Sequence, residues 1–173
     1  MTDWFTADLH FDHEMILEYC DRPFKNVAKM NHHLIKNINN RVKPDERLFI
    51  LGDLGLHGPA RKGVLEQLIR KIKCKRKILI VGNHDKLKPM DYVDIGFESA
   101  HTSLYLHQYD LHLIHDPSVC GIDAFKHYRW ACGHVHKFFL KQKNTINVGV
   151  DVWNYRPASI DEILQMIKQE GNL

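Results

Sequence analysis

Ile78-Leu79-Ile80-Val81-Gly82-Asn83-His84-Asp85 is the stretch on which the fold turns. Four consecutive apolar residues describe a strand covered on both faces, since a strand with one wet face alternates apolar and polar. The run then breaks on a glycine and three polar side chains able to bind metal or move protons. Read alone, Gly82-Asn83 is an ordinary turn dipeptide, and Asn83 is as readily a turn residue as a ligand. The same pattern recurs, however. Residues 4–7 run into Asp8-Leu9-His10, 48–51 into Gly52-Asp53, 111–114 into His115-Asp116, and 130–132 into Gly133-His134-Val135-His136.

Each cluster has a plain reading of its own. Asp8 and His10 alternate like a strand edge, Asp53 after glycine is a turn residue, and a lone His115 is a hydrogen-bonded core histidine. Independent turns do not explain why the polar residues are Asp, His and Asn every time. In α/β sheets the ligand crevice lies beyond the carboxyl ends of the strands, where these side chains can converge. Gly52, Gly82 and Gly133 allow sharp turns or close approach there. Mixed carboxylate and imidazole donors suit Mn, Fe, Zn, Co or Ni, whereas an all-oxygen set would suit Mg or Ca. The donors outnumber what one four-coordinate ion needs. Two ions sharing a carboxylate, about 3.5–4 Å apart, would use them.

The rest of the chain alternates helix and strand. Val27, Met30, Leu34, Ile38 and Val42 recur at helical steps, as do Val64, Leu65, Leu68, Ile69 and Ile72. Ser159 with Glu162 three residues on forms a capping box opening a last helix, and Asp12 is the expected N-cap of a short one. Further strands are expected at 104–106 and 145–148, with Gln108-Tyr109-Asp110 as a hairpin turn. Without repeat or linker, residues 1–173 read as a single α/β domain.

Composition agrees with an ordinary soluble globular protein: 44% hydrophobic and 26% charged over 173 residues. No apolar run approaches membrane-spanning length and the N-terminus lacks a signal pattern, so the expected location is cytoplasmic. Cys20, Cys74, Cys120 and Cys132 form no C-x-x-C pair. They read as reduced thiols, Cys132 as a buried small residue or, lying two before His134, a thiolate ligand. A net charge of +3 does not identify a nucleic-acid binder. The one dense basic run, Lys71, Lys73, Lys75, Arg76 and Lys77, reads as a solvated helix end leading into a strand, or as a phosphate contact. Nothing specifies an oligomer.

In order, Asp8-Leu9-His10, Gly52-Asp53, Gly82-Asn83-His84-Asp85, His115 and Gly133-His134-Val135-His136 resemble the D-x-H, G-D, G-N-H-D/E, H and G-H-x-H blocks of calcineurin-like metallophosphoesterases. Arg22-Pro23-Phe24 and the 147–153 segment further resemble a compact bacterial and phage branch of single-domain proteins. The resemblance implies a four-layer α-β-β-α sandwich of two packed mixed sheets flanked by helices. It implies two divalent metals, Mn first, with Fe, Zn, Ni or Co as alternatives. One would take Asp8, His10, Asp53 and His136, the other Asp53, Asn83, His115 and His134. A hydroxide bridging them would attack phosphorus in line, and His84, not a ligand, would protonate the leaving alkoxide. Asp85 would orient His84 or a ligand histidine, or simply cap the turn.

Substrate contacts are expected from Arg22, held in a loop by Pro23 and able to clamp a phosphate or to form a surface ion pair. His57, in a glycine-flanked loop after Asp53, is the other. His13, Arg129, Tyr155 and Arg156 are weaker candidates with ordinary structural readings. A small phosphoester or nucleotide-type substrate fits an open site, and a phosphodiester is favoured through the resemblance to small family members. Nucleic acid is permitted without being indicated. The alternatives are a protein-binding scaffold that has lost catalysis, against which the intact His84 and ligand set speak, and a nuclease acting on nucleic-acid ends.

Overall fold

Arg47–Leu51 (β2) shows why the chain needs two sheets. Leu48 and Ile50 enter one apolar core, Phe49 and Leu51 another. A strand apolar on both faces has to be covered on both. The computed structural model describes residues 1–55, 62–119 and 128–168. Within them β1 (Asp3–Thr6), β2, β3 (Arg76–Ile80) and β4 (Ser99–His101) run parallel, and β10 (Ala158–Ser159) pairs antiparallel with β1. The second sheet has the order β5 (Ser103–Leu106), β6 (Leu111–Ile114), β7 (Arg129–Cys132), β9 (Thr145–Asn147), β8 (Lys141–Gln142). It is also mixed: β6, β7 and β9 are parallel, with β5 and β8 antiparallel at its edges.

The layer between the sheets is filled by Phe5, Phe49, Leu51 and Ile80 from the first and Leu111, Leu113, Ala131 and Ile146 from the second. Phe5 and Phe49 stack at 5.1 Å. On the far side of the first sheet pack α2 (Val27–Arg41), α3 (Lys62–Ile69) and α4 (Pro89–Asp94), through residues such as Met30, Leu34, Leu65, Ile69 and Tyr92. The last helix, α5 (Ile160–Lys168), closes the inter-sheet layer with Ile160 and Ile163. Two mixed sheets with flanking helices make the α/β class that the motif order implies.

Local signals act where expected. Asn26 caps α2 by accepting from Lys29 N at 3.0 Å, and the Ser159–Glu162 box closes in both directions, at 2.8 and 3.2 Å. The hairpin at 108–110 forms with Asp110 in the left-handed region. One expected cap fails. Asp12 has φ 59° and does not open a helix; α1 (Ile16–Tyr19) starts after Met15. An N-cap residue is normally extended, and Asp12 is held left-handed beside the strand end. The basic run is split by the fold: Lys77 is buried and donates to Cys74 O at 2.7 Å, and Arg76 pairs with Glu98 at 2.9 Å. Lys71, Lys73 and Lys75 remain exposed.

Candidate metal centre

The strands β1, β2, β3, β6 and β7 all end at one place. Gly133 lets the sheets meet there: a Cβ on it would lie 2.7 Å from both Ala7 Cβ and Leu51 O of the first sheet. Gly52 has φ +81°, and a Cβ on it would collide with the His115 ring. Beyond these glycines the chain leaves the strands with unusual torsions. Asp8, His10, Asp53, His134 and His136 all have positive φ, between 42° and 70°. Such torsions cost free energy for side-chain-bearing residues and gather at functional sites.

Two groups of donors result. Asp8, His10 and His136 offer ligand atoms within 4.8 Å of one another, and so do Asp53, His115 and His134. Asp53 lies between the groups: Oδ2 is 3.6 Å from His10 Nε2, and Oδ1 is 3.4 Å from His115 Nε2. Asn83 Oδ1 lies 2.9 Å from His115 Nε2 and 3.0 Å from His134 Nδ1, which puts the amide in the second group. His84 holds its backbone N–H on Asp53 Oδ1 at 3.0 Å while its ring packs edge-on to His10 at 5.6 Å.

The surroundings orient these donors. His115 Nδ1 donates to Leu51 O at 2.8 Å and His136 Nδ1 to Asp151 Oδ2 at 2.8 Å, so each presents Nε2 inward. This is the outer hydrogen bond that fixes the tautomer of a metal-binding histidine. Asp8 receives His134 N at 2.9 Å. Asp85 accepts from Asp53 N (2.9 Å), Leu54 N (3.0 Å) and Gly82 N (2.7 Å), tying the β2 and β3 loops together. It therefore binds backbone rather than His84 or a ligand histidine.

The electrostatics fit cations. Burial pushes Asp8 above the usual carboxylate range. Burial also drives His10 down to about 3, leaving a neutral ring. Asp53 is buried too, yet the His115 hydrogen bond and charge outweigh that and hold it well below the usual range. Burial works against His136 as well, but Asp151 raises it to about 10. Among the described residues His10 Nε2 is a buried nitrogen with no hydrogen-bond partner, aimed at Asp53. A buried polar atom without a partner is costly. A bound divalent ion would satisfy it, and the nitrogen and oxygen donors suit transition metals.

Arg22 departs from expectation. Its side chain is buried, with Nε and Nη2 on Asp151 at 2.8 Å each, Nη2 on Asp8 O at 2.7 Å and Nη1 on Leu9 O at 3.2 Å. A guanidinium so occupied has no fork left for a phosphate. His13 does approach the site, 3.4 Å from His10 Nδ1. Arg129 bonds Tyr109 O at the opposite end of β7, Tyr155 packs on Phe24 at 4.8 Å, and Arg156 pairs with Glu162 at 2.9 Å. These three do not join the cluster. His57 and Cys120 lie outside the described residues; Cys132 is a fully buried thiol. The strand-end pattern does not single out Asp151 or Asn147. Asp151 is a carboxylate between Val150 and Val152, a pattern that marks a buried, partnered acid. Cys20, His136 and Asp151 make a third donor group, but Arg22 already occupies both Asp151 oxygens.

A family model described as calcineurin-like phosphoesterase matches residues 1–166. The chain is 34% identical to the uncharacterized protein MJ1445 of Methanocaldococcus jannaschii, covering 96% of this chain and 91% of that one. It is 26% identical to the Gene 66 protein of Mycobacterium phage L5, over 95% and 93% of the two chains. In structure it resembles a protein of unknown function, AQ665, from Aquifex aeolicus, with TM-score 0.72 and 25% identity over 96% and 99% of the chains. The nuclease MPE of Pseudomonas putida shares the fold, with TM-score 0.50 and 19% identity over 78% and 61%. No helix among the described residues is long and apolar enough to cross a membrane.

Proposed function

The chain belongs to the calcineurin-like phosphoesterase family, and from that premise we propose that it hydrolyses phosphodiesters at a two-metal centre. The observation that carries this reading is the position of Asp53, with one oxygen toward His10 and the other toward His115. Asp8, His10, Asp53 and His136 would hold one divalent ion, and Asp53, Asn83, His115 and His134 the second. Manganese is the first choice, with Fe, Zn, Ni or Co as alternatives for this donor set. When bound, such ions lower the pKa of water to about 7 and offset phosphate charge.

The chain's own groups do the rest. Leu51 O and Asp151 keep His115 and His136 turned inward. Asp85 holds Asp53 and the 82–85 turn at a constant spacing through three backbone N–H groups. His84 lines the cleft beside His10 and His136 and would protonate the departing alkoxide, general acid work worth about 10²–10⁴ in rate. Among the described residues lining that cleft, Lys137 supplies the side-chain cation, because Arg22 is committed to Asp151. A single exposed lysine suits the one negative charge of a diester better than the two of a monoester.

The test is hydrolysis of bis-p-nitrophenyl phosphate and p-nitrophenyl phosphate by metal-stripped protein with Mn, Fe, Ni, Co, Zn or Mg restored. Expected are metal-dependent turnover favouring the diester, its loss in Asp53→Asn and, on an added dialkyl phosphate diester whose alkoxide needs a proton to leave, a fall of about 10²–10⁴ in kcat for His84→Ala. Two metals bound without turnover of any ester would instead indicate a binding scaffold.

A further inference from the structure

Phe138 is 83% exposed and Tyr19 71% exposed, yet neither stands on a remote face. Tyr19 and Phe138 line a cleft of about 560 Å³ with His10, His84, His136 and Lys137. Phe138 also lines a second recess of about 340 Å³ with Pro117, Val135 and Phe139. Val135 separates His134 from His136 in the chain, and Asp116, next to Pro117, lies 3.8 Å from His134 Nε2. The first recess thus borders the donor group of His10 and His136. The second borders the strand ends that carry His115 and His134. Phe138 is the wall they share.

A bare phenylalanine forgoes about 1.5–3 kcal/mol of burial, and here it is held bare by a tied-down turn. Phe138 N donates to Val135 O at 2.8 Å. The fully buried Asn147 Nδ2 donates to the carbonyls on either side, His136 O at 2.7 Å and Phe139 O at 2.8 Å. Lys137 Nζ bonds Asp21 O at 3.3 Å across the cleft, beside Tyr19. The turn therefore presents a flat ring to solvent between two recesses, next to the phosphate-handling centre. A flat aromatic wall favours flat ligand groups, and aromatic rings stack on any nucleobase regardless of its identity.

We infer that the substrate is a phosphodiester bearing a nucleobase on each side of the scissile phosphate, with Phe138 as the wedge between the two bases and Tyr19 as the facing wall on the His84 side. This rests on the phosphodiesterase reading and names its substrate class. The two recesses match the two organic groups of a diester, and Lys137 lines the first of them beside His84. Stacking on a ring face reads no base edge, so recognition through Phe138 and Tyr19 carries little sequence preference.

The experiment compares thymidylyl-thymidine with its analogue carrying abasic sugars at both positions, in the manganese-loaded wild type, Phe138→Ala, Phe138→Trp and Tyr19→Ala. Wild type is expected to favour the base-bearing diester, with Phe138→Ala raising its KM about five- to hundredfold, the range of base–aromatic stacking. Phe138→Trp restores it, Tyr19→Ala gives a smaller rise, and the abasic diester is handled alike by all four proteins. Fluorescence titration of His84→Ala protein with the same two diesters reads stacking apart from turnover. Equal binding and equal kcat/KM for the two diesters overturns the inference. Base-dependent binding without hydrolysis overturns the enzymatic reading and leaves the stacking site standing.

Discussion

Arg22 and Asp151, 129 positions apart, meet in a two-pronged ion pair with both N–O distances at 2.8 Å. Both side chains are fully shielded from solvent. One of the same Asp151 oxygens takes the Nδ1 hydrogen of His136, and the Arg22 guanidinium also holds the carbonyls of Asp8 and Leu9. One residue thereby links the β1 turn, the loop before α2 and the segment after β9, and through Asp151 it sets a candidate metal ligand.

Removing one partner of such a pair strands a buried charge, at a cost of about 3–5 kcal/mol. Arg22→Ala is expected to lower the unfolding free energy measured in urea by that amount and to reduce metal content. Arg22→Lys keeps the charge without the fork and should recover only part of the loss. An Arg22→Ala protein of wild-type stability, with impaired diester KM alone, would return Arg22 to a substrate-binding role.

Asp85 spends its carboxylate on three backbone N–H groups. Asn in its place has one acceptor oxygen, so at least one buried N–H loses its partner, costing about 1–3 kcal/mol. Asp85→Asn should lower thermal stability and weaken manganese binding measured by titration, since the β2 and β3 loops lose their clamp. Unchanged affinity with lowered stability would confine Asp85 to the fold.

Glu162 gives the acid limb of stability. Its burial alone would raise its pKa; the Ser159 N–H, Arg156 and Arg41 outweigh this and hold it below the ordinary glutamate value. A lowered folded-state pKa means the contribution is in place above the unfolded value of about 4.3 and drains away as pH falls through the folded one. Glu162→Gln should therefore destabilise at neutral pH and flatten acid unfolding below about pH 4. Parallel acid curves for the two proteins would refute it.

Metal should also stabilise the chain, because the two donor groups exist only when five strand ends converge. A ligand at about a thousandfold its dissociation constant adds about 4 kcal/mol per site. Chelation is expected to lower the melting temperature, restored by manganese in wild type and incompletely in Asp53→Asn. A melting curve indifferent to metal would argue against sites of useful affinity.

The strand-terminal residues Asp8, His10, Asp53, Asn83, His84, His115, His134 and His136 were legible in sequence because a parallel strand buried on both faces is a continuous apolar run. The residues at the carboxyl end of each such run are delivered to one sheet edge. The long helices were legible for a similar reason, their spacing being a local signal. The two-residue β8 and β10 were not, since two residues show no periodicity, and Asp12 failed as a cap because its torsion is set by the neighbouring strand end.

Residue type and order alone therefore determined the class of fold and the donors available to it. Partnership was decided in three dimensions. Arg22 could have faced solvent or phosphate until Asp151 was seen beside it, and Asp85 could have faced a histidine until three amides claimed it. The exposure of Phe138 depends on Asn147 holding the turn beneath it. Hydrogen bonds and ion pairs between residues far apart in the chain leave no periodic trace, because each depends on where two loops happen to meet, and only the packed sheets bring those loops together.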